Sequence, residues 1–161
     1  MAIHIVLYEP EIPQNTGNIA RSCAATGARL HLIEPLGFSI SDRYLKRAGL
    51  DYWSQVEIHS HCSWEAYCSE YPHAKRYFAT TKASVPYHEV AYPQECHLVF
   101  GPESRGLPLA LLHEAADARI RIPMLSNIRS LNLSNAVAIV LFEALRQQDF
   151  PGFEMTGLFP A

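Results

Sequence analysis

Apolar residues fall in short runs whose period changes along the chain. Residues 3–8 form a β-branched run stopped by Pro10, which predicts a buried strand. Residues 16–26 carry small, helix-compatible side chains, and Gly27 stands where a helix would stop. A second strand is predicted over 30–33, closed by Pro35 and Gly37. Ser41 is placed to cap a helix through Ala48, with Gly49 after it. Residues 56–58 make a weak third strand, and Ser63 caps a helix that ends before Pro72. Two further strands are expected over 77–80 and 98–100. A helix opens at Pro108 and runs to about Ala115, and a last strand over 120–122 is stopped by Pro123. The longest helix is predicted from Leu133 to about Gln148 and is apolar on most of its surface. Residues 82–94 hold no clear element, and a loop of that length in a compact domain is usually functional.

This alternation predicts an α/β fold, with a mostly parallel sheet covered by helices on both faces. No internal repeat, low-complexity segment or linker interrupts it, so residues 1–161 read as one domain with a surface tail from about 150.

Composition narrows the function classes. At 48% hydrophobic and 18% charged, the chain can build a core and is not disordered. A net charge of -3 excludes wholesale phosphate binding, so any RNA contact must come from local basic clusters. The four cysteines form no CxxC pair, the opening is strand-like, and no apolar run approaches the ~20 residues of a membrane span. A reducing, cytoplasmic setting is the expectation.

Three polar loops follow predicted strands, where parallel sheets bind ligands. The first, Pro13-Gln14-Asn15-Thr16-Gly17-Asn18-Ile19-Ala20-Arg21, enters a helix, and Arg21 on a helix with a buried character calls for an anionic partner. An ordinary helix start with a structural ion pair is the plain alternative. In the second, Phe100-Gly101-Pro102-Glu103-Ser104-Arg105-Gly106-Leu107-Pro108, Gly101 would permit close approach to a ligand. Glu103 would bind a ligand donor or pin another loop. In the third, Ile122-Pro123-Met124 precedes Ser130-Leu131-Asn132-Leu133-Ser134-Asn135, more polar groups than one helix cap requires. No G-x-G-x-x-G follows the first strand, and no Lys-Ser or Lys-Thr completes a phosphate loop.

Together these loops resemble, in order and spacing, the three motifs of the SPOUT class of RNA 2'-O-methyltransferases. The resemblance covers nearly the whole chain. The opening Ile5-Val6-Leu7-Tyr8-Glu9-Pro10-Glu11-Ile12-Pro13 and the segment Arg47-Ala48-Gly49-Leu50-Asp51-Tyr52 look like the tRNA (cytidine/uridine) enzymes that act on the wobble nucleotide, position 34. The resemblance implies a trefoil knot over roughly 77–148. It also implies S-adenosyl-L-methionine as cofactor and a homodimer whose first and last helices meet, each site borrowing residues from the partner. Cofactor-binding residues carried over are Ala79, Thr80, Gly101, Glu103, Gly106, Ile122, Ser130, Leu131, Asn132, Ser134 and Asn135. Arg21 is the implied catalytic residue, with Asn15 nearby to position it.

For RNA, Arg43, Lys46, Arg47 and Arg129 are the candidate contacts, and Lys75, Arg76 and Arg105 are further cations near loops. Tyr44, Tyr52, Trp53 and Tyr87 are candidates to stack a flipped-out base in the anticodon loop. Three alternatives stand beside this: methylation of another tRNA or rRNA site, a non-catalytic RNA-binding protein of the same fold, and a flavodoxin-like nucleotide binder. His59, His61, Cys62, Cys68 and His73 are zinc-type ligands, but their spacing matches no zinc pattern, so no metal and no membrane partner is expected.

Overall fold

A computed structural model describes residues 2–40 and 52–159. Ten main elements are described, in the order β1 (Ala2–Tyr8), α1 (Pro13–Thr26), β2 (Arg29–Ile33), β3 (Ile58–His61), α2 (Trp64–Glu70), β4 (Arg76–Ala79), β5 (Glu95–Phe100), α3 (Leu109–Glu114), β6 (Arg119–Ile120) and α4 (Leu133–Gln147). A short 3-10 turn, Ala116–Ala118, precedes β6. The strands form one six-stranded sheet in the order β3-β2-β1-β5-β4-β6, and every pairing is parallel. The predicted helix over 41–48, with Arg43, Tyr44, Lys46 and Arg47, lies outside the described residues.

Both faces of β1 are buried, which explains why its sequence does not alternate. Ile3, Ile5 and Leu7 pack in one cluster with Ile19, Ala20 and Cys23 of α1 and with Val137, Val140, Leu141, Ala144 and Leu145 of α4. Val6 faces the other way, into a cluster with Ile33, Tyr67 of α2, Phe78, Val99 and Leu112 of α3.

Helix boundaries follow local chemistry. Pro13 opens α1, three residues ahead of the predicted start, because proline's fixed φ suits the first helical position. Gly27 closes it at φ 71. The Ser63 side chain caps α2 by accepting from the Ala66 amide. Two strands differ from expectation. The third lies at Ile58–His61, two residues later than predicted, where it pairs with β2. The last covers only Arg119–Ile120, because Arg121 instead exchanges backbone bonds with Val85 and Tyr87.

That exchange gives the 82–94 segment its structure. The Tyr87 amide donates to Arg121 (2.8 Å) and the Arg121 amide to Val85 (2.9 Å). The Gln147 side chain accepts from the Tyr92 amide and donates to the Val90 carbonyl. Tyr77 and Tyr92 donate their hydroxyls to the Ala91 and Tyr87 carbonyls. A segment without sequence periodicity is thus held by side chains from β4 and α4.

Candidate active site

The sheet reverses its direction of growth between β1 and β5, the position where open parallel sheets place ligands beyond their carboxyl ends. A cleft of ≈ 420 Å³ opens there, within the ~300–1,000 Å³ of small-molecule sites. Its walls are the loops after β1, β4, β5 and β6. Of the eleven residues proposed as cofactor-binding, nine line it: Ala79, Thr80, Gly101, Glu103, Gly106, Ile122, Ser130, Leu131 and Asn132. Ser134 and Asn135 stand behind it, in the first turn of α4.

A chain of side-chain hydrogen bonds ties these loops together. The Glu103 carboxylate accepts from the Glu11 amide (2.8 Å), the Ile12 amide (3.1 Å) and the Asn15 side-chain amide (3.1 Å). The Asn15 carbonyl accepts in turn from Asn132 Nδ2 at 3.0 Å. Asn132 Oδ1 caps α4, accepting from the Ser134 amide at 2.9 Å, its hydroxyl at 2.7 Å and the Asn135 amide at 3.4 Å. Glu11 reciprocates toward the second loop by accepting from the Ser104 amide and hydroxyl, which holds its carboxyl below the usual range. The three motifs, separated by up to 117 residues, form one polar network.

Gly101, Asn15 and Arg21 take different places around the cleft. Gly101 lines the cleft and also closes its own loop: a Cβ there would lie 2.3 Å from the Leu107 amide nitrogen and 2.4 Å from the Gly106 carbonyl carbon. Asn15 joins Glu103 and Asn132 through the two ends of its side-chain amide and so braces the cleft. Arg21 itself is exposed, does not line the cleft, and stands over the Tyr52 ring at 5.0 Å from its centroid. Arg21 stands six helical positions after Asn15, which sets them on different faces and about 9 Å apart along the axis.

The cations divide by role. Arg129 lines the cleft and donates to the Ser104 carbonyl (3.4 Å). Arg105 pairs with Glu9 and, at 3.5 Å, with Glu11. Arg76 lies against Trp64 and Tyr67 and bonds the Tyr71 carbonyl, which is a structural role. Of the described candidate aromatics, Trp53 and Tyr87 pack on the core, and Tyr52 stands beside Arg21. The zinc-type stretch does not assemble: Cys62 and His73 are exposed, and the one group of metal-type ligands among the described residues is His4, His31 and His97. Sequence reading missed that cluster because its members lie far apart in the chain. No helix among the described residues is long and apolar enough to cross a membrane.

Comparison with known proteins gives concordant matches. Residues 2–142 match the model of the SpoU rRNA Methylase family. The chain is 51% identical over 149 residues to a tRNA (cytidine(34)-2'-O)-methyltransferase of Methylovorus glucosotrophus, covering 92% of this chain and 97% of that one. An Escherichia coli K12 protein of the same name is 51% identical over 152 residues, covering 93% and 96%. A solved structure described as giving insight into the 2-OH methylation of C/U34 on tRNA superposes with TM-score 0.88 at 45% identity, covering 92% of this chain and 97% of that one. An AdoMet-bound rRNA methyltransferase from Sinorhizobium meliloti superposes with TM-score 0.82 at 28% identity, covering 90% and 56%.

Proposed function

The chain belongs to the SpoU rRNA Methylase family, and from that premise we propose that it transfers a methyl group from S-adenosyl-L-methionine to the ribose 2'-oxygen of the wobble nucleotide, C34 or U34, of tRNA. The observation that carries this is half identity across more than nine tenths of both chains to relatives named for that reaction. The cleft's volume and its mix of Ala79, Gly101, Leu131 and polar loop groups fit a cofactor with one apolar and one polar end.

Bound S-adenosyl-L-methionine supplies an electrophilic methyl group, open to in-line attack. The chain's own residues hold the reactants in place. The Glu103–Asn15–Asn132 network keeps the three loops in register, so alignment is set before substrate arrives. Arg21 stabilises the negative charge that develops on the 2'-oxygen; a guanidinium holds its proton too tightly to be the base. Arg21 does not line its own chain's cleft, so it acts on the partner's in a homodimer. Two adjoining stripes fit that contact: Gln14, Asn18, Arg21 and Ala25 on α1, and Asn135, Ile139, Phe142 and Arg146 on α4 are exposed at helical spacing, and the two helices pack together. Residues 77–148 would form the knot of the class, and Arg129 would meet RNA phosphate at the cleft mouth. Thiols that form no disulfide fit a reducing cytoplasm, where tRNA is processed.

The test incubates purified protein with labelled S-adenosyl-L-methionine and tRNA lacking the modification, then maps the product by mass spectrometry. A 2'-O-methyl group at position 34 is the expected result. Cofactor binding without transfer to tRNA moves the substrate to another RNA. No cofactor binding at all favours the non-catalytic reading.

A further inference from the structure

Among the described residues, the cleft wall carries three cations, Lys82, Arg105 and Arg129, and one carboxylate, Glu103. Glu103 is taken up by three donors. Arg105 is compensated by Glu9 and Glu11. Arg129 donates to the Ser104 carbonyl at 3.4 Å, a neutral partner that leaves its charge unopposed. The Lys82 side chain has no hydrogen bond or ion pair to any described residue. Two uncompensated cations therefore face one cleft, in a chain whose net charge is -3.

Local structure fixes where Lys82 stands. The Thr80 amide donates to the Ile120 carbonyl of β6 at 2.9 Å, and the Thr80 hydroxyl accepts from the Lys82 amide at 3.2 Å. The Thr80 carbonyl accepts from the Ala83 amide at 3.4 Å, and Ala83 is buried. Arg121 Nη1 donates to the Thr81 carbonyl at 3.1 Å. The turn after β4 is thus anchored on both sides of Lys82, whose own side chain stays exposed. Exposure also rises along this wall: Ala79 and Thr80 are half-buried, while Thr81 and Lys82 are exposed. A small molecule enclosed by the cleft meets Ala79 and Thr80; a polymer lying across its mouth meets Lys82.

We propose that Lys82 holds a backbone phosphate beside the target ribose of the tRNA, with Arg129 on the loop after β6 as the second cation of that contact. This rests on the reading of the cleft as the methyl-transfer site. The carbon that carries the reacting 2'-oxygen is bonded to the carbon that carries the next phosphate. A ribose seated at the cleft therefore brings that phosphate to the rim. A chain that is acidic overall needs its unpaired cations where the polymer passes. Lysine suits the task, because its ammonium is a point charge on a flexible stem and follows a phosphate without the two-pronged geometry of arginine. Such a contact carries no base information, so Lys82 sets affinity and seating and does not choose between C34 and U34.

The experiment measures tRNA binding by the purified full chain across a salt series, with S-adenosyl-L-methionine affinity and steady-state methyl transfer measured beside it. Lys82→Gln should lower the slope of log affinity against log salt by about 0.7, the share of one single-strand phosphate, and weaken binding about fivefold at ~0.1 M salt. KM for tRNA should rise by a similar factor, with kcat and cofactor affinity unchanged. Lys82→Arg keeps the charge and should restore both. Arg29→Gln removes the same charge at the amino end of β2, away from the cleft, where Arg29 pairs with Glu57; its slope should match wild type. A Lys82→Gln protein with the wild-type slope and KM overturns the proposal, and so does an equal loss in Arg29→Gln. A fall in cofactor affinity with tRNA binding intact also overturns it, and assigns Lys82 to the cofactor's carboxylate. Methylation of tRNA away from position 34, with the slope change intact, upholds the phosphate contact and fails the wobble assignment alone. A wild-type chain that binds no tRNA overturns both.

Discussion

Glu103→Ala tests whether the three loops work as one unit. The carboxylate accepts three hydrogen bonds, from the Glu11 and Ile12 amides and from Asn15 Nδ2. A bond to a charged acceptor is worth about 1.5–3 kcal/mol when shielded and less near solvent. Asn15 is only 5% exposed, so its bond takes the larger figure and the loss leaves a buried donor unpaired. The other two are nearer the surface, and the total is roughly 2–3 kcal/mol. At ~2–4 °C per kcal/mol for a chain of this size, melting should fall by about 5–10 °C. Because Asn15 also holds the α4 cap through Asn132, cofactor affinity should fall with stability. Thermal melts with and without S-adenosyl-L-methionine read both effects. A cycle with Asn15→Ala should give a coupling of about 1 kcal/mol. A Glu103→Ala protein that melts within about 1 °C of wild type, or a strictly additive double mutant, would refute the network.

The remaining predictions address single positions. Gly101→Ala should fail to accumulate as folded protein or lose cofactor binding, because its Cβ meets backbone that cannot yield; a normal melting curve with full activity would contradict this. Arg21→Ala should melt like wild type and bind cofactor normally, since its one described contact is the Tyr52 ring, while turnover falls by about 10²-fold or more; a fully active variant removes Arg21 from the reaction. Glu143 lies under Arg146, whose guanidinium lowers its pKa to about 2, with Gln147 adding a second donor. Its folded pKa is depressed, so its stabilising contribution is present above pH ~4.5 and is lost as pH falls toward ~2. The melting difference between wild type and Glu143→Gln should therefore shrink across that window, and a difference independent of pH would disprove the assignment.

The fold class was readable from the chain because its signals are local. Proline and glycine stops at Pro10, Gly27 and Pro72, together with β-branched runs, delimit elements through each residue's own steric preferences. The three motifs were readable because binding loops keep their residue types in fixed order, and nine of the eleven cofactor positions they name line the cleft. Local signals failed where partners are distant. β6 and the 82–94 segment depend on each other and on Gln147, so neither has a periodicity of its own. The bracing role of Asn15 was hidden for the same reason: its partners, Glu103 and Asn132, lie 88 and 117 residues away. The close return of the Gly106 and Leu107 backbone onto Gly101 was likewise visible only in the folded chain. Only the parallel register of β2, β1 and β5 brings His4, His31 and His97 to one spot. Which faces meet is set by strand order, and strand order follows from the burial of whole elements rather than from any single residue's neighbours.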